Sequence, residues 1–271
     1  DNEKMKEKFA VHGRQYMKET NFALADATCY ESYIEYPTDV KLIWKGCNEI
    51  YELIQLIRKQ YKLRISRVNY PQRKKDYLSH QKCKKKSKKA AKKLRKRLLK
   101  FLARLIEQFD KLVKKNDLSF SKRKQARITT VKTLYQQQHE QAYGIVEKIK
   151  DRIVHIAKPY IRPIVRGKEI KPVEFGAKVN KLQVDGISFI EYLSYNAFNE
   201  GIRLQQTVRL HQDLFGKCSH ISADKIYGTN ANRSYCKKKG ITNNFVPKGR
   251  QKAAHIEQAA VMRAVLDKER G

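Results

Sequence analysis

Long apolar runs are missing from this chain. No stretch approaches the ~20 consecutive apolar residues that a bilayer-spanning helix needs. Its amphipathic stretches carry a core-like apolar face and not the Trp/Phe/Leu face of an interfacial helix, so no membrane partner is expected. Paired cysteines are missing as well. Cys29, Cys47, Cys83, Cys218 and Cys236 are scattered and odd in number, and no signal peptide is visible. That usage reads as a reducing cytosol and argues against a disulfide scaffold. Acidic residues are scarce: 27 Asp+Glu stand against 60 Lys+Arg, for a formal net charge of +33. Hydrophobic residues still make up 41% of the chain, enough for a core, so this is not a disordered basic tail. Self-repulsion at such a charge costs stability, and a polyanionic partner compensates for it. Nucleic acid fits best, because each Lys or Arg set against a phosphate releases condensed counterions.

The 271 residues suit one large domain or two smaller ones, and no internal repeat is apparent. Three zones differ in pattern: residues 1–37, 38–152 and 153–271. In the first, Phe22-Ala-Leu-Ala-Asp-Ala-Thr28 reads as a buried strand with a carboxylate near its end, closed by the turn Tyr36-Pro-Thr-Asp39. The second is helical. Thr38 or Asp39 can cap a helix carrying Leu42, Ile43, Ile50, Leu53, Ile54 and Ile57, and Pro71 interrupts a polar connection. A long helix is expected over 84–115, with Leu98, Leu102, Leu105, Phe109 and Leu112 at the spacing of helices packed lengthwise. After a turn at Asn116 to Ser121, a partner helix is expected with Ile128, Val131, Tyr135, Ala142, Ile145, Ile149 and Ile153 on one face.

The third zone changes period. Strands are expected at 173–179 and 187–195, joined near Asp185-Gly186. A helix over 200–215, a strand at 220–224, a short helix over 231–239 and a strand at 241–246 follow. Together they make a mixed α/β layer. The chain opens on Asp1 and closes in the charged run Val265 to Gly271, so the stretch reads as cut from a longer frame.

Three groups of residues point to chemistry. From Lys82 to Lys100 basic residues dominate and no acid appears. Such a run is either a solvated helix face or a phosphate-binding one. The missing Glu/Asp at i±4, which a solvated helix normally carries, favours phosphate. Lys84, Lys85, Lys88, Lys89, Lys92 and Lys93 are the candidate contacts. Next, Asp26 and Asp224 each sit among apolar residues at a strand end, which is costly unless the acid is paired or binds a metal. Carboxylates brought from distant parts of a chain hold hard divalent cations for phosphoryl transfer. Asp224 would equally suit a cap for the following turn, and Asp26 a partner for local amides; spacing alone leaves both open. Third, Cys218-Ser-His220 with Cys236 lacks the paired spacing of a zinc site. Trp44 reads as core, and Glu174 as a salt-bridge partner of Lys178.

These motifs carry a resemblance. Tyr160-Ile-Arg-Pro-Ile-Val-Arg-Gly-Lys168, Val173-Glu-Phe-Gly-Ala-Lys178, Asp185-Gly186 and Asn199-Glu200 resemble DDE-class bacterial insertion-sequence transposases. Ala223-Asp-Lys-Ile-Tyr227 with Asn232-Arg233 is similar to that family's second-aspartate motif. Ala25-Asp-Ala-Thr-Cys-Tyr-Glu31 with Tyr36-Pro-Thr-Asp39 is similar to its first. The likeness runs in order along nearly the whole chain. It implies an α/β (α+β), ribonuclease H-like mixed sheet with a long, basic, all-helical insertion, and Asp26 and Asp224 on neighbouring strands as catalytic metal ligands. It implies two Mg²⁺ ions, with Mn²⁺ able to substitute, end nicking and strand transfer on double-stranded DNA, a homodimer, and a cytoplasmic, nucleoid-associated location. Arg162, Arg166, Lys168 and Lys178 are candidates to hold scissile phosphates, with a basic sheet edge as the plain alternative. Lys225 and Arg233 are candidate DNA contacts.

The resemblance also implies a third acid, a Glu on a helix just after a segment like Leu266-Asp-Lys-Glu-Arg270. The chain is therefore expected to stop short of it, and Glu269 and Glu257 sit at the wrong place in the motif. The fragment would then be poorly active or inactive, and the family's N-terminal DNA-binding region would lie outside it. A non-catalytic DNA-binding remnant or domesticated transposase, with a working basic arm and idle acids, is the alternative. A helical RNA-binding protein would explain the charge alone.

Overall fold

The computed structural model describes residues 2–64, 68–165 and 172–246. Helix α1 (Asn2–Gly13) leads to the strand β1 (Phe22–Glu31). Four helices follow: α2 (Asp39–Tyr61), α3 (Tyr70–Lys82), α4 (Lys88–Lys115) and α5 (Lys122–Ala142). Then come β2 (Arg162–Val165), β3 (Val173–Val184), β4 (Ile187–Ser194), α6 (Leu204–Phe215), β5 (His220–Ala223), α7 (Asn230–Lys239) and β6 (Thr242–Asn243). The chain is mixed α/β and divides into two units. One comprises residues 1–31 with 164–271, the other residues 32–163. Among the described residues no helix is long and apolar enough to cross a membrane.

The helical unit is built as its apolar spacing dictates. Leu94, Leu98, Leu102, Leu105 and Phe109 lie on one face of α4 and are buried against Ile43, Ile50 and Ile54 of α2 and Val131 and Leu134 of α5. Thr38 caps α2, its hydroxyl accepting from the Lys41 N–H at 3.4 Å, and Ser87 caps α4 in the same way. Trp44 is buried and stacks on Tyr70 and Tyr77, so it belongs to the core.

Three expectations need correction. Pro71 does not interrupt a connection; it sits in the first turn of α3, where its missing N–H costs nothing. Helix α4 begins after Ser87, which leaves Lys84 and Lys85 in the preceding loop. Helix α5 ends at Ala142, because Gly144 adopts φ +77, so Ile145, Ile149 and Ile153 are not on it. The apolar spacing continued, but the backbone turned.

In the other unit, β1 lies inside a sheet of order β2-β3-β1-β5-β6, with β4 pairing β3. β1 runs antiparallel to β3 and parallel to β5, and β5 runs parallel to β6. The β3–β4 hairpin turns at Asp185 and Gly186, both at positive φ (47° and 78°), as a two-residue turn of the I′ kind requires. Ala23, Ala25, Leu182, Val184, Leu204, Val208, Phe215 and Ile221 form its core. β6 is two residues long, shorter than expected, and Phe245 beyond it is buried.

His211 on α6 is completely buried, and burial pushes its imidazole below the usual range. His80 and His155 in the helical unit shift the same way, mainly by burial. A base whose folded pKa is depressed adds stability above its unfolded pKa, about 6.5, and loses it as pH falls below that. Urea midpoints are therefore expected to drop steadily from about pH 7 to pH 5. His211→Gln should flatten part of that slope; an unchanged slope would contradict the assignment.

Candidate active site

Strand register brings the positions of Asp26 and Asp224 close together. On the parallel pair β1 and β5, Phe22, Ala23, Leu24 and Ala25 align with His220, Ile221, Ser222 and Ala223. The next residue on each side is Asp26 and Asp224. Neighbouring strands lie about 4.8 Å apart, so two acids distant in sequence stand side by side where β5 ends. Asp224 opens the 3₁₀ turn Lys225–Tyr227, but its side chain makes no capping hydrogen bond there; that role falls to backbone, with the Tyr227 N–H donating to the Asp224 carbonyl at 2.9 Å. Asp26 is 40% exposed, and Lys181, directly opposite it on β3, stands 3.7 Å away.

Beneath the pair lies a buried polar network. Tyr227, three residues after Asp224, is fully buried, and its hydroxyl donates to Asn180 Oδ1 at 2.5 Å. Asn180 Nδ2 in turn donates to Glu191 Oε2 and Thr207 Oγ1, each at 2.9 Å. Glu191 is held by the Arg203 guanidinium. Burial first, and then the negative charges of Glu200, Asp26, Asp224 and Glu191, push the Tyr227 phenol far above its ordinary range. Four carboxylates thus act on one buried phenol that stays protonated and donating. Gly201 packs against this turn so closely that an added Cβ would stand 2.6 Å from the Ile226 carbonyl oxygen.

The basic candidates fall into different settings. Lys178 is buried, ion-paired with Glu200 at 2.7 Å and donating to the Phe198 carbonyl at 2.8 Å. Its carboxylate partner is Glu200, where Glu174 had been expected. Arg162 turns onto its own backbone, donating to the Pro159 and Ile161 carbonyls. Arg233 staples the turn after Asp224, donating to the Gly228 carbonyl at 3.1 Å and the Val246 carbonyl at 2.6 Å. Lys225 is exposed beside Asp224. Arg166, Lys168, Glu257 and Glu269 lie outside the described residues.

In the helical unit, Lys84, Lys85, Lys88, Lys89, Lys92 and Lys93 are all exposed. None has a carboxylate partner among the described residues, whereas Arg95 and Arg97 further along the same helix are paired with Asp39 and Asp76. The sequence reading missed Lys181, Asn180 and Tyr227. Asp26 is acidic and Lys181 basic, but only the β1–β3 register puts them opposite each other.

Among the described residues no group of three or more His, Cys, Asp and Glu side chains is placed to hold a metal ion. Cys218 and Cys236 are buried thiols, pushed up to about 12 and about 11 by burial. No protein-family model, curated protein or solved structure matches the chain.

Proposed function

We propose that the chain is the catalytic part of a DNA transposase of the DDE class, with Asp26 and Asp224 as metal-binding carboxylates. The observation that carries this reading is the register of β1 and β5, whose last paired residues, Ala25 and Ala223, directly precede Asp26 and Asp224. The sheet order supports a ribonuclease H-like reading. A β3–β4 hairpin flanks β1 on one side, and after α6 the strand β5 returns parallel on the other. The helical unit at 32–163 falls between β1 and the hairpin, as a basic insertion would.

The donor chemistry suits Mg²⁺ or Mn²⁺: two hard carboxylates, of which Asp26 is 40% exposed. Asp26 and Asp224 would hold the ion or ion pair, which when bound supplies an activated oxygen and charge neutralisation at phosphorus. The chain's own residues do the rest. Lys181, 3.7 Å from Asp26, offsets part of the negative charge there. The Tyr227–Asn180 bond fixes the turn on which Asp224 stands. Exposed Lys225 offers a phosphate contact beside it.

Mn²⁺ binding measured by electron paramagnetic resonance tests the reading. Asp26→Asn and Asp224→Asn should each weaken binding by tenfold or more, about 1.4 kcal/mol in each case. If both variants bind Mn²⁺ as the parent does, the acids are idle and the basic helical unit alone carries function.

A further inference from the structure

The helical unit contains a second feature that the catalytic reading does not use. A cleft of about 830 Å³ opens where the first turns of α2 and α4 face the last turn of α5. That volume lies within the range of small-ligand sites, roughly 300–1,000 Å³. Lys86, Lys88, Lys92 and Lys96 line it, and none has a carboxylate partner among the described residues. Its one lining carboxylate, Asp39, is already neutralised by Arg95 at 3.2 Å and Arg152 at 2.8 Å. The N-terminal ends of α2 and α4 and the C-terminal ends of α3 and α5 all line the cleft, so the helix dipoles offset and its field is that of the lysines.

One wall is aromatic. Tyr143, the first residue past α5, is 43% exposed; the Lys96 ammonium sits 4.8 Å from its ring centre and the His139 ring 4.5 Å from it, which leaves the remaining exposed part of the ring to a base. The positive φ of Gly144 turns the chain away directly after it. Lysines without carboxylate partners among the described residues and a partly exposed aromatic ring in one concavity match a nucleotide: phosphate for the charge, base for the exposed part of the ring.

We propose that this cleft takes one unstacked nucleotide of a single-stranded DNA segment, its phosphate near Lys88 and Lys92 and its base against Tyr143. A base inside a duplex has no free face to offer the ring, whereas a splayed base does. The assignment rests on the DNA-binding reading and adds a strand type and a position to it.

The test is fluorescence anisotropy on the full chain with a labelled oligothymidylate and with a duplex of the same length. Tyr143→Ala should weaken single-strand binding by about tenfold or more, the scale of one lost base stack, while duplex binding stays within about twofold. Tyr143→Phe, which keeps the ring, should bind both probes like the parent. The cleft assignment is overturned if Tyr143→Ala binds the single strand normally, or if it loses both probes equally. Duplex binding by the parent without any Tyr143 effect would sink the cleft alone. A parent that binds neither probe would remove the DNA-binding reading with it.

Discussion

Replacing Lys84, Lys85, Lys88, Lys89, Lys92 and Lys93 with Gln is expected to cut duplex DNA affinity by roughly a thousandfold near 0.1 M salt. All six ammonium groups are exposed and free of carboxylates among the described residues, so nothing within the described structure competes for them. Each phosphate neutralised on duplex DNA contributes a slope of about −0.9 to the dependence of log K on log salt. Losing six contacts should therefore flatten that slope by about 5. The fold should be unaffected, because the buried stripe Leu94, Leu98, Leu102 and Leu105 is untouched. A salt titration that leaves the slope unchanged would mean that these lysines only solvate the helix. Structured RNA serves as the control, and the parent is expected to prefer duplex DNA to it.

The second large effect is one of stability. Asn180→Ala should destabilise the sheet unit by about 3–4 kcal/mol. Asn180 is completely buried and makes three side-chain hydrogen bonds, to Tyr227, Glu191 and Thr207. Its removal leaves a phenol, a carboxylate and a hydroxyl under-satisfied where water does not reach, and each orphaned group costs about 1–3 kcal/mol. Relaxation recovers part of this, and Arg203 still holds Glu191. Tyr227→Phe is the smaller version, orphaning only Asn180 Oδ1, at about 1–2 kcal/mol. Urea unfolding measures both. The larger variant should also lose Mn²⁺ affinity, because the turn carrying Asp224 is anchored by Tyr227.

Local features of this fold were legible in the sequence because their causes are local. The Asp185-Gly186 turn follows from two residue types that tolerate positive φ, and the α4 stripe from its spacing of three and four. Asp26 and Asp224 stand out as acids in apolar strands. What the spacing left open, the use of Asp224 as a cap, is decided by its backbone: the turn forms without its side chain.

The rest depends on register and long-range pairing. Lys178 looked available for phosphate until Glu200, in the loop after β4, closed on it. Asn180 is an ordinary polar residue on a strand until Tyr227 arrives from beyond β5. Helix α3 was missed because Pro71 reads as a breaker in sequence, although a first-turn proline breaks nothing. Helix α5 was drawn too long because isoleucines at helical spacing outlast the helix that Gly144 ends.

The central claim is that Asp26 and Asp224 share one metal site, and iron-directed backbone cleavage tests it most directly. Fe²⁺ loaded in place of Mg²⁺, with ascorbate and peroxide, generates radicals that cut only the nearby chain. Two cuts are expected, one near residue 26 and one near residue 224, both suppressed by excess Mg²⁺ and both lost in Asp26→Asn. A single cut at one strand, or cuts elsewhere that survive Asp26→Asn, would contradict it.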